Sequence, residues 1–540
     1  MRTRRSTLIL TPLLALLPAT AGAASPAGTP ALLDRLTWGI NEPSAALAGR
    51  SPDRWLDAQL RAGTDAPLPP AAQAQIDSLR ISHEPLAQLV VEMDAQNKAY
   101  GAITDPAQKQ LAVTAYQQAM KGLADEAATR SLLRDLYSPS QLREQMTWFW
   151  FNHFNVQANK RDIRAMVGDY EDQAIRAHAL GRFRDLLEAT LRHPAMLRYL
   201  DNDQNAANHI NENYAREIME LHTMGVGSGY SQKDVQELAR ILTGVGVDLK
   251  PDAPKLKPEL QPLYIRAGLF EFNPARHDFG DKVFLGHTIK GSGYAEVEQA
   301  LDLIAAAPAT AHHVSAQLAA YFMGAAVPPA LIDRMAATFQ SSKGDIPRVL
   351  RTLFRSQEFK ASLGTDFKDP VHYAVSAVRL AYGDRVVLNT APIMGWLNRM
   401  GEGLYAHETP DGYPMNSAAW TGPGQMAVRF EIAHQIGYNG AALFTPPKPP
   451  APPTPPPAPE MAATPTMAMA PEMSTMTGSP AAPKPPAPAV PPVIPQIQNA
   501  AWFAQLRPSI RPATRDALAA ATSPREWNAL FLSSPDFMRR

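Results

Sequence analysis

The chain contains no cysteine. That absence excludes disulfides, thiolate-held metals, iron–sulfur clusters, c-type haem attachment and a cysteine nucleophile. Any metal ion would need nitrogen and oxygen ligands. Neither sign of charge is in surplus: 51 Lys and Arg face 51 Asp and Glu over 540 residues. With no basic stripe there is no footprint for a phosphate backbone, and nucleic acid is not an expected partner. No apolar run reaches the roughly 20 residues of a spanning helix, so no transmembrane segment is expected. There is no Gly-x-Ser-x-Gly nucleophile elbow and no phosphate loop ending in Gly-Lys-Ser/Thr. The glycine-rich stretch Gly225 to Tyr230 follows a helical pattern rather than a strand. It reads as a helix stop and a loop, not as a dinucleotide cradle.

What is present begins with an address. Arg2, Arg4 and Arg5 precede an apolar stretch from Leu8 to Leu17, and Ala21-Gly22-Ala23 offers a small-residue cleavage pattern. Residues 1–24 therefore read as a signal peptide, and the protein is expected to be exported, periplasmic or extracellular. The Arg4-Arg5 pair keeps twin-arginine export open beside ordinary secretion.

The 45% hydrophobic content is enough to bury a core, and its periodicity is helical. Leu142, Met146, Phe149, Trp150 and His153 fall on one helical face, as do Val235, Leu238, Ala239 and Leu242. Tyr294, Val297, Leu301 and Ile304 repeat the spacing, then Val314, Leu318, Tyr321 and Phe322. Asp345 caps a further helix whose buried side is Ile346, Val349, Leu350, Leu353 and Phe354. Ser231 and Asp234 form a capping box. The expected fold is mainly α, with one large multi-helix domain over residues 25–445 and a small β-hairpin insertion at about 263–291, where Phe270 and Phe272 alternate with polar residues. Residues 446–497 read as a disordered linker, since 20 of the 50 residues from Pro446 to Pro495 are proline. Its five methionines, from Met461 to Met476, suit copper(I), but a biased spacer accounts for them more simply. In residues 498–540, Trp502, Leu506, Leu518, Trp527 and Phe531 mark short helices too small for a core of their own. These are expected to dock back on the main domain.

Three stretches concentrate imidazole and carboxylate: TWFWFNHFNV around His153, INENYAREIMELHTMGV around His222, and RHDFGDKVFLGHT around His277 and His287. Together they could build a nitrogen/oxygen site. Asn213, Glu217 and Glu220 share a helical face, whereas Glu217 and His222 are about 140° apart on an ideal helix. Two readings stay open for each group. His153, Arg216, Glu217 and His222 are candidate catalytic residues, and His153, Glu217, His222, His277 and Asp278 candidate ligands of a divalent metal. Alternatively, His153 is a core histidine, Tyr214, Arg216, Glu217 and Glu220 are inter-helix ion pairs, and Asp278 caps a turn.

The motifs RLTWG (Arg35 to Gly39), WFWFNHFNV, GDYEDQAIRAHALGRFRDLL, HPAMLRYLDN, NENYAREIMELHTMGV, RHDFGDKVFLGHTIKG and DGYP, in that order, resemble the bacterial exported family known as "domain of unknown function 1800". The resemblance covers about Leu32 to Gly440 and resumes after the linker. It implies export and a second exported protein, encoded nearby, as partner; it implies no reaction. The chain departs from the family at Phe151, where the family often has histidine, and at Val245, where it often has tryptophan. The first departure removes an imidazole and weakens a metal reading of that helix. The leading expectation is a metal-assisted extracytoplasmic enzyme in which Arg216 holds an anionic group. The alternative is a non-catalytic envelope or cell-surface assembly protein.

Overall fold

The computed structural model describes residues 28–61, 67–324, 326–447, 492–500 and 503–540. The leader expected at 1–24, most of the linker (448–491) and Trp502 lie outside them. The protein is mainly α with two small sheets. Among the described residues no helix is long and apolar enough to cross a membrane.

Helix α1 (Pro106–Tyr137) starts where the Asp105 side chain accepts the Gln108 N–H, with Pro106 in the first turn. A short turn leads into α2 (Gln141–His153). The periodicity predicts one apolar face for α2, yet every residue from Gln141 to Asn152 is buried. A helix enclosed on all sides must satisfy its polar groups internally. Glu144 accordingly accepts two hydrogen bonds from Arg176, at 2.9 and 2.8 Å, and the Gln141 amide donates to the Asp135 and Ser138 carbonyls, both at 2.9 Å.

Ser231 and Asp234 form the expected capping box at the start of α3 (Gln232–Ile241). The chain then turns into β1 (Val245–Val247), which pairs antiparallel with β3 (Phe270–Phe272); β3 also pairs with β2 (Ile265–Ala267). Strands β4 (Lys282–Phe284) and β5 (His287–Ile289) form a separate hairpin. The single hairpin expected over 263–291 is thus two sheets, one of which takes its edge strand from upstream. The reason is a close backbone approach: Gly244 has φ +83°, and a Cβ there would lie 2.6 Å from the Asn273 carbonyl.

Helices α4 (Tyr294–Ala306), α5 (Pro308–Met323) and α6 (Ile346–Phe354) bury the apolar residues their spacing predicts, and the Asp345 side chain caps α6. Helix α7 (Pro370–Tyr382) is buried from end to end. Helices α8 (Ala391–Met400) and α9 (Pro423–Asn439) pack beside it. From the other side of the linker, α10 (Pro524–Leu532) lies along α9, where a Cβ on Gly437 would be 2.9 Å from the Ala529 nitrogen. The chain then runs into the body. Met538 accepts the Lys368 N–H at 2.8 Å, and the Arg540 N–H donates to the Asp366 carbonyl at 2.8 Å.

Candidate functional site

The structure places the six candidate residues in three separate settings. His153 ends α2, and its Nε2 lies 2.9 Å from the His222 carbonyl oxygen. Its ring centroid is 6.1 Å from that of His222 and 6.3 Å from that of His313, an imidazole outside the three stretches singled out above. Burial pushes His153 down to about 3 and His222 well below the usual histidine range. Both rings are therefore neutral near pH 7. His222 Nε2 is buried and has no hydrogen-bond partner among the described residues. Burial also lowers His313, whose Nε2 lies 3.2 Å from the Leu221 carbonyl. Gly225, at φ +88°, lets the chain pass this ring, since a Cβ would sit 2.9 Å from His313 Nδ1.

His222 closes a π-helical turn, Ile218–His222, that continues the α-helix Asn213–Glu217. That widened turn departs from the ideal geometry used for the sequence angles. Arg216, on the same segment, lies 3.1 Å from Glu212 and 3.2 Å from Glu220 in ion pairs. Glu217 is half-buried, and burial, then Glu220, raises its carboxyl above the ordinary range. The Arg216 pairs are partly exposed i,i+4 contacts along one segment, not the buried pairs between helices that the alternative reading expected.

The third setting is a stitch between the β4–β5 hairpin and its helices. His277 Nε2 lies 2.9 Å from Glu296 Oε1, and Lys282 Nζ lies 2.5 Å from Glu296 Oε2; none of these side chains is exposed. Burial alone would raise the Glu296 carboxyl, but hydrogen bonds from His277 and Lys282 outweigh it and hold it low. Arg240 grips Asp278 through two bonds, 2.7 and 3.1 Å, and holds it low as well. Asp278 Oδ1 also accepts the Gly280 N–H at 2.8 Å, the turn-capping role. Exposed His287 begins β5. Among the described residues no three His, Asp or Glu side chains are grouped as a metal ion would need. The five proposed ligands are thus not brought together.

Two motif stretches do meet, at a different place. Asn152 accepts the Tyr413 N–H at 2.6 Å and donates to the Tyr413 carbonyl at 3.0 Å, while Asn155 donates to the Thr409 carbonyl at 2.8 Å. Gly412, at φ +71°, permits this lacing, because a Cβ would lie 2.1 Å from the Asn152 carbonyl. The lacing sets Tyr413 against Trp148, centroids 6.3 Å apart, and against Trp420 at 6.2 Å. These rings wall a small cleft of about 20 Å³, room for one water-sized molecule.

The floor of the cleft is ionic. Asp369 caps α7: its Oδ1 accepts the His372 N–H at 2.7 Å and its Oδ2 lies 2.6 Å from His372 Nδ1. His372 Nε2 accepts from Arg540, so carboxylate, imidazole and guanidinium form a relay. Burial would raise Asp369, but His372 and Arg540 outweigh it and keep the carboxylate well below its usual range. Burial, then Arg540, pushes His372 down to about 4. Glu402 faces the opposite way. Burial, then the Asp369 charge, raises its carboxyl well above the ordinary range, although it accepts the Val371 N–H at 3.0 Å. One cleft thus holds two carboxyls whose surroundings push them in opposite directions.

Sequence reasoning missed Asp369, His372, Glu402 and Arg540. Asp369-Pro370 carried the signal of a helix cap and nothing more. Glu402 sits in an unremarked Gly-Glu-Gly turn, and Arg540 is joined to them only by the fold.

Comparison with known proteins gives one family. The family described as "Protein of unknown function (DUF1800)" matches residues 31–539, and the chain belongs to it. No curated protein and no solved structure matches.

Proposed function

We propose that this member of the family is an exported enzyme that works by proton transfer in the aromatic-walled cleft, with Glu402 as general acid and Asp369 as the ionised carboxylate. The carrying observation is the pair of carboxyls lining one cleft, Asp369 held low by His372 and Arg540 and Glu402 pushed up by burial and the Asp369 charge. Such a pair divides acid and charge-stabilising roles. Glu402 would protonate a leaving oxygen while Asp369 stabilises the positive charge that develops, and water completes the hydrolysis. Trp148, Tyr413 and Trp420 are ring types that stack on a sugar, which the cleft, now roomy enough for one water, would have to widen to admit, and Arg540 supplies a positive charge at its floor. A glycosidic bond is the substrate class that fits these parts. Export rests on the Arg-rich, apolar leader of the sequence. The metal-assisted version loses its support, because its candidate ligands occupy three settings.

The test is hydrolysis of a panel of aryl glycosides and exported polysaccharides by wild type, Glu402→Gln and Asp369→Asn. Turnover falling by about 10²–10⁴ in Glu402→Gln, with partial recovery on substrates bearing an activated leaving group, is the expected result. A folded wild type inactive on the whole panel, or a Glu402→Gln variant with unchanged turnover, rejects the acid.

A second reading, a non-catalytic assembly protein, is favoured by one observation: Arg216, His277 and Asp278 are each held in structural pairs.

A further inference from the structure

A second concavity, a groove of about 780 Å³, opens between α1 and α8. Its rim carries amide side chains, Gln110, Gln117 and Gln118 from α1 and Asn398 from α8. Its less exposed lining is largely apolar, including Ala128, Ala158, Met394 and Gly395. A Cβ on Gly395 would touch nothing within 4 Å, so the lining is open there. The groove is close to neutral in charge: Lys121 and Asp125 on its wall pair with each other, and Arg164 donates to Gln117. Neutral, amide-rimmed and apolar-lined, it suits an extended chain whose carbonyls lack internal partners, which is what polyproline II presents.

The sequence carries a proline-rich segment whose described flanks lie near the groove. Leu443 accepts the Leu388 and Asn389 N–H groups at 2.8 and 3.0 Å, so the chain leaves the body next to Ala391, where α8 and the groove begin. It returns at residue 492, and the Val493 carbonyl lies only 3.1 Å from where a Cβ on Gly440 would be. The chain thus passes close to itself at Gly440 and Val493, and 44 residues, 448–491, lie between the described ends at 447 and 492. At about 3.1 Å per residue in polyproline II, the segment can run the length of the groove and come back. Its charges are balanced too, Lys448 and Lys484 against Glu460 and Glu472.

We infer that this groove is a docking site for the chain's own Pro/Ala/Met-rich segment, residues 448–491. Tethering presents the segment at an effective concentration of order millimolar, so a modest intrinsic affinity suffices.

The cysteine-free chain makes the test clean, because two introduced cysteines are the only labelling sites. Spin labels go on Gln118→Cys at the groove rim and, in turn, on Ala463→Cys, Ala470→Cys or Ala481→Cys in the full-length chain. Electron–electron distance measurements at micromolar protein should show a short, narrow component for at least one pair. Filling the groove with Gly395→Trp, or independently from the opposite wall with Thr114→Trp, should abolish it. Broad distances for all three pairs overturn the inference. So does a narrow component that survives both fillings in folded protein. A component that vanishes on dilution with unlabelled chain, showing a second copy to be the occupant, overturns it as well.

Discussion

Gly412 and Asn152 show how a single position holds the cleft in shape. With φ +71° and a Cβ only 2.1 Å from the Asn152 carbonyl, Gly412→Ala combines backbone strain with a steric clash. It should cost about 2 kcal/mol or more in urea unfolding. The buried stitch behaves differently. Lys282→Met leaves the enclosed Glu296 carboxylate short of a cation and should cost about 3–5 kcal/mol, while adding Glu296→Gln should restore part of the loss. A double-mutant cycle measures both. The histidines make a third prediction. His153 is lowered to about 3 in the folded chain, whereas an unfolded histidine titrates near its ordinary value. The unfolded state therefore takes up the proton first, and this contribution to stability is complete above about pH 6.5 and is lost as pH falls towards the folded value. Glu402 works in the opposite sense, since its raised carboxyl favours the folded state below the unfolded glutamate range and disfavours it as pH rises. Replacing one group isolates its share. In His153→Leu the fall in Tm between about pH 6.5 and 4.5 should be shallower than in wild type.

Among elements, sequence periodicity was legible wherever one face meets the core and the other meets water. Helices α4, α5 and α6 bury the residues their spacing marks, and the Asp345 cap and the Ser231–Asp234 box stand where residue chemistry put them. It failed for α2 and α7, which are enclosed on every side, because such a helix no longer sorts apolar from polar around its axis. It failed again at Ile218–His222, where a π turn changes which side chains align. Residues 353–359 (LFRSQEF) and 530–537 (LFLSSPDF) resemble each other, with a local cause: Ser356 accepts the Phe359 N–H at 3.1 Å, and Ser534 accepts the Phe537 N–H at 3.2 Å. Both bonds aim a phenylalanine into the core. At the α9–α10 contact the predicted outcome is separation. Gly437→Leu should pry α10 away and raise the rate of proteolysis within 493–540 by about tenfold or more, leaving fragments of the body intact on a gel.

For the molecule as a whole, composition gave the fold class and the family motifs gave membership, but neither located the cleft. Its parts come from α2, from the loop around Tyr413, from the start of α7, from Glu402 and from Arg540. No sequence window contains more than a fraction of them, and the pairing of Arg540 with His372 spans 168 residues. The motif residues that were visible, Asn152, Tyr413 and Pro414, turned out to build walls and supports around that floor. The imidazoles and carboxylates that looked chemical, such as His277 and Asp278, were drawn into pairs that hold elements together.

The near contact of Gly440 with Val493 has an engineering consequence. A foreign domain whose own termini lie side by side could be spliced between them without prying the host apart, so fluorescent or affinity cargo inserted at this seam should be displayed by a body that still assembles.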